Sequence, residues 1–192
     1  MKLILRSTLY VIVLTALLGG VYPAAVTLLG RALWRDRAGG SFARAGGRVV
    51  GSELIGQNFR APKYLHPRPS AAGKDGYDAT ASGGTNKGPT DADLAKSVRS
   101  AVEEARKDRP CDSRPVPADL VTSSASGLDP HLSPDAAEWQ AARIARARGM
   151  TEEQVLAVIR RHIEPRTLGF LGEPRVSVLL TNLDLDGTPN RP

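Results

Sequence analysis

LYVIVLTALLGGVYPAAVTLL, residues 9–29, is the stretch that decides what kind of molecule this is. About 20 apolar residues are what one α-helix needs to cross ~30 Å of hydrocarbon, because lipid offers the backbone no alternative partners. No comparable run follows, so everything after Arg31 reads as a soluble body held against a membrane by one helix. One helix cannot enclose an ion path. A cleaved signal peptide is the rival reading, since Lys2 and Arg6 form a basic start. The run exceeds the ~7–15 residues of a signal core, and Val26 to Leu29 continue past the small residues at Pro23-Ala24-Ala25. A retained anchor is the better reading. Arg31, Arg35 and Arg37 beyond the run nearly balance Lys2 and Arg6 before it, so charge alone does not orient the helix.

Working outward, the expected organisation is a short tail over 1–8, a transmembrane helix over 9–30, a Gly/Ala/Arg-rich linker over 31–48 and a soluble α+β domain over 49–192. Of 192 residues, 24% are charged and the formal net charge is +6, which suits a solvated globule. The basic residues are scattered and only 5% of residues are aromatic, which leaves little for base stacking and excludes nucleic acid as partner. Cations just after the helix suit anionic lipid headgroups instead. Cys111 is the lone cysteine, so no internal disulfide is available.

Val49-Val50 and Leu54-Ile55 suggest short strands. Residues 58–90 are rich in Gly, Pro and Ser, but Phe59, Tyr64, Leu65 and Tyr77 argue for a loop packed on the core; long loops of this kind are usually functional. Thr90 with Asp93 predicts a capping box for a helix carrying Leu94, Val98, Ala101, Val102 and Ala105 on one face. Ser133-Pro134 predicts the start of a second helix, ended at Gly149. Thr151 with Gln154 opens a third, whose face holds Val155, Val158, Ile159 and Ile163 and which Pro165 stops. Val176, Val178 and Leu180 alternating with Ser177 and Thr181 predict a strand. Strands on either side of a helical middle make an α+β domain.

Several chemical motifs fail on inspection. Gly83 to Thr90 leads into a helix like a phosphate loop, but Lys87 precedes its glycine and Pro89 removes a needed N–H. Asn182 to Gly187 imitates the start of a calcium loop without its closing glutamate; Asp186-Gly187 reads as a strand-ending turn. His66, His131 and His162 have no metal-ligand spacing, so no metal site is expected. Ser126 with Asp129 and His131 would make a membrane-anchored extracytoplasmic hydrolase, yet no G-x-S-x-G elbow accompanies them. Gln140 points where apolar residues of its helix point, which makes it either a satisfied interior amide or a contact for a partner or nucleotide.

Taken together, Gly51-Ser52-Glu53-Leu54-Ile55-Gly56-Gln57, Arg68-Pro69-Ser70-Ala71, Ser82-Gly83-Gly84-Thr85-Asn86-Lys87-Gly88-Pro89-Thr90, Ser126 to Pro134 and Gly169 to Val176 form an ordered set of unusual strings. The chain resembles, over nearly its full length, the C subunits of Kdp-type potassium-transporting P-type ATPases. Lys87 stands where that family usually has an apolar residue, and Thr85 breaks an echo of an ATP-binding-cassette signature at Ser82-Gly83-Gly84. The resemblance implies a noncatalytic accessory subunit of a high-affinity ATP-driven potassium uptake complex. It implies a catalytic chaperone that raises the ATP affinity of a P-type hydrolysing subunit, alongside a channel-like subunit. It implies no tightly bound cofactor, with ATP acting through the complex, and Gln140 as the nucleotide-contact candidate. Arg68, Ser82, Gly83, Gly84, Asn86, Asp129, His131 and Arg143 become candidates for partner contacts or loop structure. It also implies a single pass through the inner membrane, with the N-terminus cytoplasmic and the body outside.

Overall fold

In the computed structural model, which describes residues 1–187, a helix α1 runs without interruption over Lys2–Leu33. Among the described residues it is the one helix long and apolar enough to cross a membrane. Residues 2–8, expected as a tail, are helical. At Leu17–Val21 the helix widens into a π turn. Pro23 explains this: it has no N–H for the preceding turn and its ring crowds the carbonyl of Gly19, and a widened turn relieves that crowding. Trp34 leaves helical geometry (φ −137°, ψ 59°), and a single turn α2 follows at Arg35–Ala38. These elements belong to a first compact unit, Met1–Phe42, and the chain from Ala43 onward forms a second. Much of the stretch 31–48 expected as linker is therefore regular structure.

The boundary falls just inside the first strand of a hairpin of β1 (Phe42–Ala45) and β2 (Arg48–Ser52). Gly46 and Gly47 both have positive φ (56° and 80°), the geometry of the two-residue turn that matches strand twist. Leu54 and Ile55, expected in a strand, lie in the turn that follows. Helix α3 spans Ala92–Asp108, and Asp91 rather than Thr90 caps it, accepting from the backbone N–H of Asp93 (2.8 Å) and Leu94 (3.0 Å).

The predicted helix from Ser133 to Gly149 is two helices, α4 (Pro134–Trp139) and α5 (Ala141–Arg148), parted at Gln140. Its end at Gly149, left-handed with φ 65°, is as expected. The Thr151–Gln154 capping box is present and opens α6 (Glu152–Arg161). Ile163, expected on that helix, belongs instead to β4 (Ile163–Glu164).

With β3 (His131–Leu132) and β5 (Arg175–Ser177), β4 makes an antiparallel sheet of order β3-β5-β4, in which Val176 pairs with both Leu132 and Ile163. The strand expected over 176–181 stops at Ser177, whose hydroxyl accepts from Leu180 N–H and starts α7 (Val178–Leu185). Val178, Leu179, Thr181, Asn182, Leu183 and Leu185 are all buried, so this helix is covered on nearly every side. An all-round buried helix shows no 3.6-residue stripe, and its alternation over a few residues imitates a strand. Asp186, read as part of a strand-ending turn, caps the end of this helix.

The core joins Leu132, Ile144, Val155, Ile159, Val176 and Val178, with Leu65 inserted from the long loop. That loop, running from Gly56 toward α3, is tied to residues 124–129 by backbone and hydroxyl bonds. Gly56 N–H donates to Leu128 O (2.9 Å), Gly83 N–H to Ser126 O (2.9 Å) and Ser70 Oγ to Gly127 O (2.6 Å). At Gly127 (φ 67°) a Cβ would stand 2.7 Å from the Gly83 carbonyl and 2.8 Å from Ala72 N. Gly127→Ala is expected to cost about 2–3 kcal/mol, from the unfavourable φ and the forced separation of two backbones. Denaturant unfolding of the full chain in detergent checks this; a change within 0.5 kcal/mol would contradict the close packing.

Candidate functional site

Two buried amides grip the backbone of two adjacent loop residues. Asn182, on α7, accepts from Leu65 N–H through Oδ1 (2.7 Å) and donates to Leu65 O through Nδ2 (3.0 Å). Gln140, at the break between α4 and α5, accepts from His66 N–H through Oε1 (2.9 Å) and donates to His66 O through Nε2 (3.0 Å). The loop thus obtains strand-like partners from side chains, which buried peptide groups require. Gln140 also donates to Ala136 O (3.3 Å) and accepts from Arg143 Nη2 (2.6 Å). Its two lone pairs and two N–H groups are all engaged within the chain.

Two arginines of α5 extend the same hold. Arg143 pairs with Asp108 (3.0 Å) and donates to the carbonyls of Pro62 and Tyr64. Arg148 donates to Lys63 O (2.7 Å) and Leu185 O (2.6 Å) and pairs with Asp186, which also accepts from the Tyr64 hydroxyl (2.9 Å). Residues 62–66 therefore form a strap fixed to α5 and α7 at every position.

Beside the strap lies a cleft of about 510 Å³, walled by the loop segments 58–60, 66–70 and 75–77, by the second half of α3, and by Gln140 and Arg143. Arg68 lines it and reaches Asp129 (3.3 Å), Asp119 (3.8 Å) and the Thr122 hydroxyl (3.3 Å). The Arg68 carbonyl accepts from the Tyr77 hydroxyl (2.7 Å). Burial, aided by the Asp129 charge, pushes that phenol's pKa well above its ordinary value. It stays a donor throughout the physiological range.

Of the residues named from the sequence as candidates for nucleotide or partner contact, Arg68, Gln140 and Arg143 meet on this cleft, whereas Ser82, Gly83, Gly84, Asn86, Asp129 and His131 do not line it. Ser82 and Gly83 bond to Ser126 O, and Gly84 packs against Ala125 O, so this segment is loop structure. Asn86 is exposed with φ 54°. Asp129 receives His131 N–H through Oδ1 and Arg68 through Oδ2, an arrangement that organises the turn into β3. Ser126 Oγ accepts from Leu128 N–H, an ordinary hydroxyl turn. Asn182, Arg148 and Asp108 were not singled out as site residues. An amide between the leucines of Leu179-Leu180-Thr181-Asn182-Leu183-Asp184-Leu185 was the available signal for the first of them.

Burial lowers the pKa of His66, and the adjacent Arg143 lowers it further; burial also lowers that of His131. In the unfolded chain both imidazoles take up protons near pH 6.5, and the folded ones take up fewer there because their pKa values are lowered. Stability present above that pH is therefore lost as pH falls below about 6.5 toward the folded values. The thermal midpoint is expected to drop between pH 7.5 and 5.5, and to drop less in His66→Gln/His131→Gln. Equal slopes for the two proteins would refute the assignment.

The guanidinium groups of Arg68 and Arg143 are met by carboxylates and carbonyls of the chain itself, as described. Among the described residues no group of three or more His, Cys, Asp or Glu is placed to hold a metal ion. The arrangement holds the loop residues 62–66 against α5 and α7. The model of the family "K+-transporting ATPase, c chain" matches residues 4–187. The chain is 50% identical over 191 residues to the potassium-transporting ATPase KdpC subunit of Koribacter versatilis, covering all of this chain and 97% of that relative. It is 56% identical over 183 residues to the same subunit of Myxococcus xanthus, covering 95% and 85%. With that of Nitratidesulfovibrio vulgaris it shares 48% over 186 residues, covering 97% and 94%.

Proposed function

The chain belongs to the K+-transporting ATPase c chain family, and from that premise we propose that it is the noncatalytic accessory subunit of an ATP-driven potassium uptake complex. The observation that carries this reading is that α1 is, among the described residues, the one helix of spanning length. One helix offers no path to an ion, so the conducting and hydrolysing parts belong to partner subunits, one channel-like and one of P type. α1 crosses the inner membrane once, N-terminus inside, and the body stands outside among lipid and partners.

In this reading the chain acts as a catalytic chaperone that raises the pump's affinity for ATP. A body outside the membrane cannot touch cytoplasmic ATP, so the effect is transmitted through partner contacts that differ between pump states. Gln140 then serves by fixing the strap and cleft for those contacts, and no cofactor is held tightly by this chain.

The test compares the purified chain, the pump without it and the reassembled complex. Expected are no ATP hydrolysis by the chain alone, and a lowered apparent KM for ATP with potassium-stimulated turnover on reassembly. Hydrolysis by the isolated chain, including one abolished by Ser126→Ala or His131→Ala, would support the anchored hydrolase instead. An alkaline-phosphatase fusion at the C-terminus is expected to be active; a stable but inactive fusion would reverse the orientation.

A further inference from the structure

Between β4 and β5 the chain forms a braced arm, residues 165–174, whose tip is apolar and exposed. Leu168 is 79% exposed, Phe170 68% and Leu171 49%. The brace is specific. Thr167 and Leu171 exchange backbone hydrogen bonds in both directions, each 2.9 Å. Arg166 pairs with Glu173 across the arm, and Arg175 pairs with Glu164 one rung below. Leu168 itself has φ 56°, a conformation that side-chain-bearing residues adopt at a cost. A strained turn that holds large apolar side chains out in water is unfavourable within this chain alone. A fixed tip of this kind is pre-organised for a shaped receptor.

We propose that this arm is a plug that inserts Leu168 and Phe170 into an apolar pocket on a partner protein subunit in the same membrane complex; this rests on the reading of the chain as a pump subunit. Charge argues against a lipid surface. Both arginines at the base of the arm are neutralised by glutamates, so there is little pull toward anionic headgroups, and the arm has no Trp or Tyr to seat at a bilayer interface. Area argues for a partner that is already close. The three side chains offer on the order of 350 Å², which falls short of the ~800 Å² per side that a stand-alone association needs. Such a patch suffices when a membrane helix already confines both molecules and raises their effective concentration.

The test uses the full complex purified from membranes, with p-benzoylphenylalanine in place of Phe170 and, as control, in place of Arg99 on α3. Illumination is expected to give a covalent product of this chain with one partner subunit from position 170 and none from position 99. Leu168→Ser/Phe170→Ser is expected to leave the unfolding temperature unchanged and speed dissociation of the chain from the complex about tenfold. Adducts with lipid alone, adducts with a second copy, or no adduct while the subunits still co-purify would overturn the plug and leave the subunit reading intact. Unchanged dissociation of the double variant would do the same. Failure of the unaltered chain to co-purify with any pump subunit would overturn both.

Discussion

Gln140→Leu is expected to lower stability by about 4 kcal/mol, and the unfolding temperature of the full chain in detergent by about 8–16 °C. The side chain is of similar size and the position is buried, so cavity formation contributes little. The loss comes from polar groups left without partners: the N–H and carbonyl of His66, the Ala136 carbonyl, and one donor of Arg143. Each such group costs about 1–3 kcal/mol when water cannot replace the partner. Gln140→Glu separates the contributions. A carboxylate still accepts from His66 N–H and from Arg143, but it turns an oxygen toward the carbonyls of His66 and Ala136. About half of the full loss is expected. An effect below 1 kcal/mol for Gln140→Leu would show that the amide is not what holds the strap.

Asn182→Leu is expected to cost about 3 kcal/mol by the same physics one residue earlier. Leu65 is wholly buried, and Asn182 supplies partners to both its N–H and its carbonyl. Asn182→Asp keeps the acceptor but faces the Leu65 carbonyl with a second oxygen, so it is expected to be no better than Leu. Because the two amides grip neighbouring residues of one strap, their losses do not add. Once Gln140 has been replaced and the strap has loosened, Asn182 has less left to hold. A double variant close to the sum of the singles would mean that Leu65 and His66 are fixed independently. Equilibrium unfolding of the four proteins in one buffer decides between these outcomes.

The caps and turns were legible from the sequence because each is settled within about four residues. The Thr151–Gln154 box and the left-handed stop at Gly149 stand where the pattern put them. Where two neighbouring residues compete for one local role, the reading slipped by a position, as with Asp91 in place of Thr90. It failed where periodicity carries no direction. The buried run after Ser177 could be strand or helix by its apolar residues, and α7 became a helix because Ser177 caps it and the core encloses it. The break at Gln140 had no local mark, since nothing next to it stops a helix.

The candidate site divides along the same line. Gln140, Arg68 and Arg143 were named from the sequence, the first for lying on an apolar face. Their common cleft was not visible, because the contacts that build it join residues far apart in the chain. Gln140 meets His66 across 74 positions, and Asn182 meets Leu65 across 117. No pattern of neighbours encodes a hydrogen bond of that span.

By itself the sequence determined a single apolar helix of spanning length and a mixed α+β body after it, because hydropathy and capping act over short distances. Only the tertiary structure decided that two interior amides clasp one loop strap, that the guanidinium groups of Arg68 and Arg143 are met within the chain, and that an apolar tip is held in the open. Those outcomes depend on which groups are brought within 3 Å of each other, and that is a property of the packed chain.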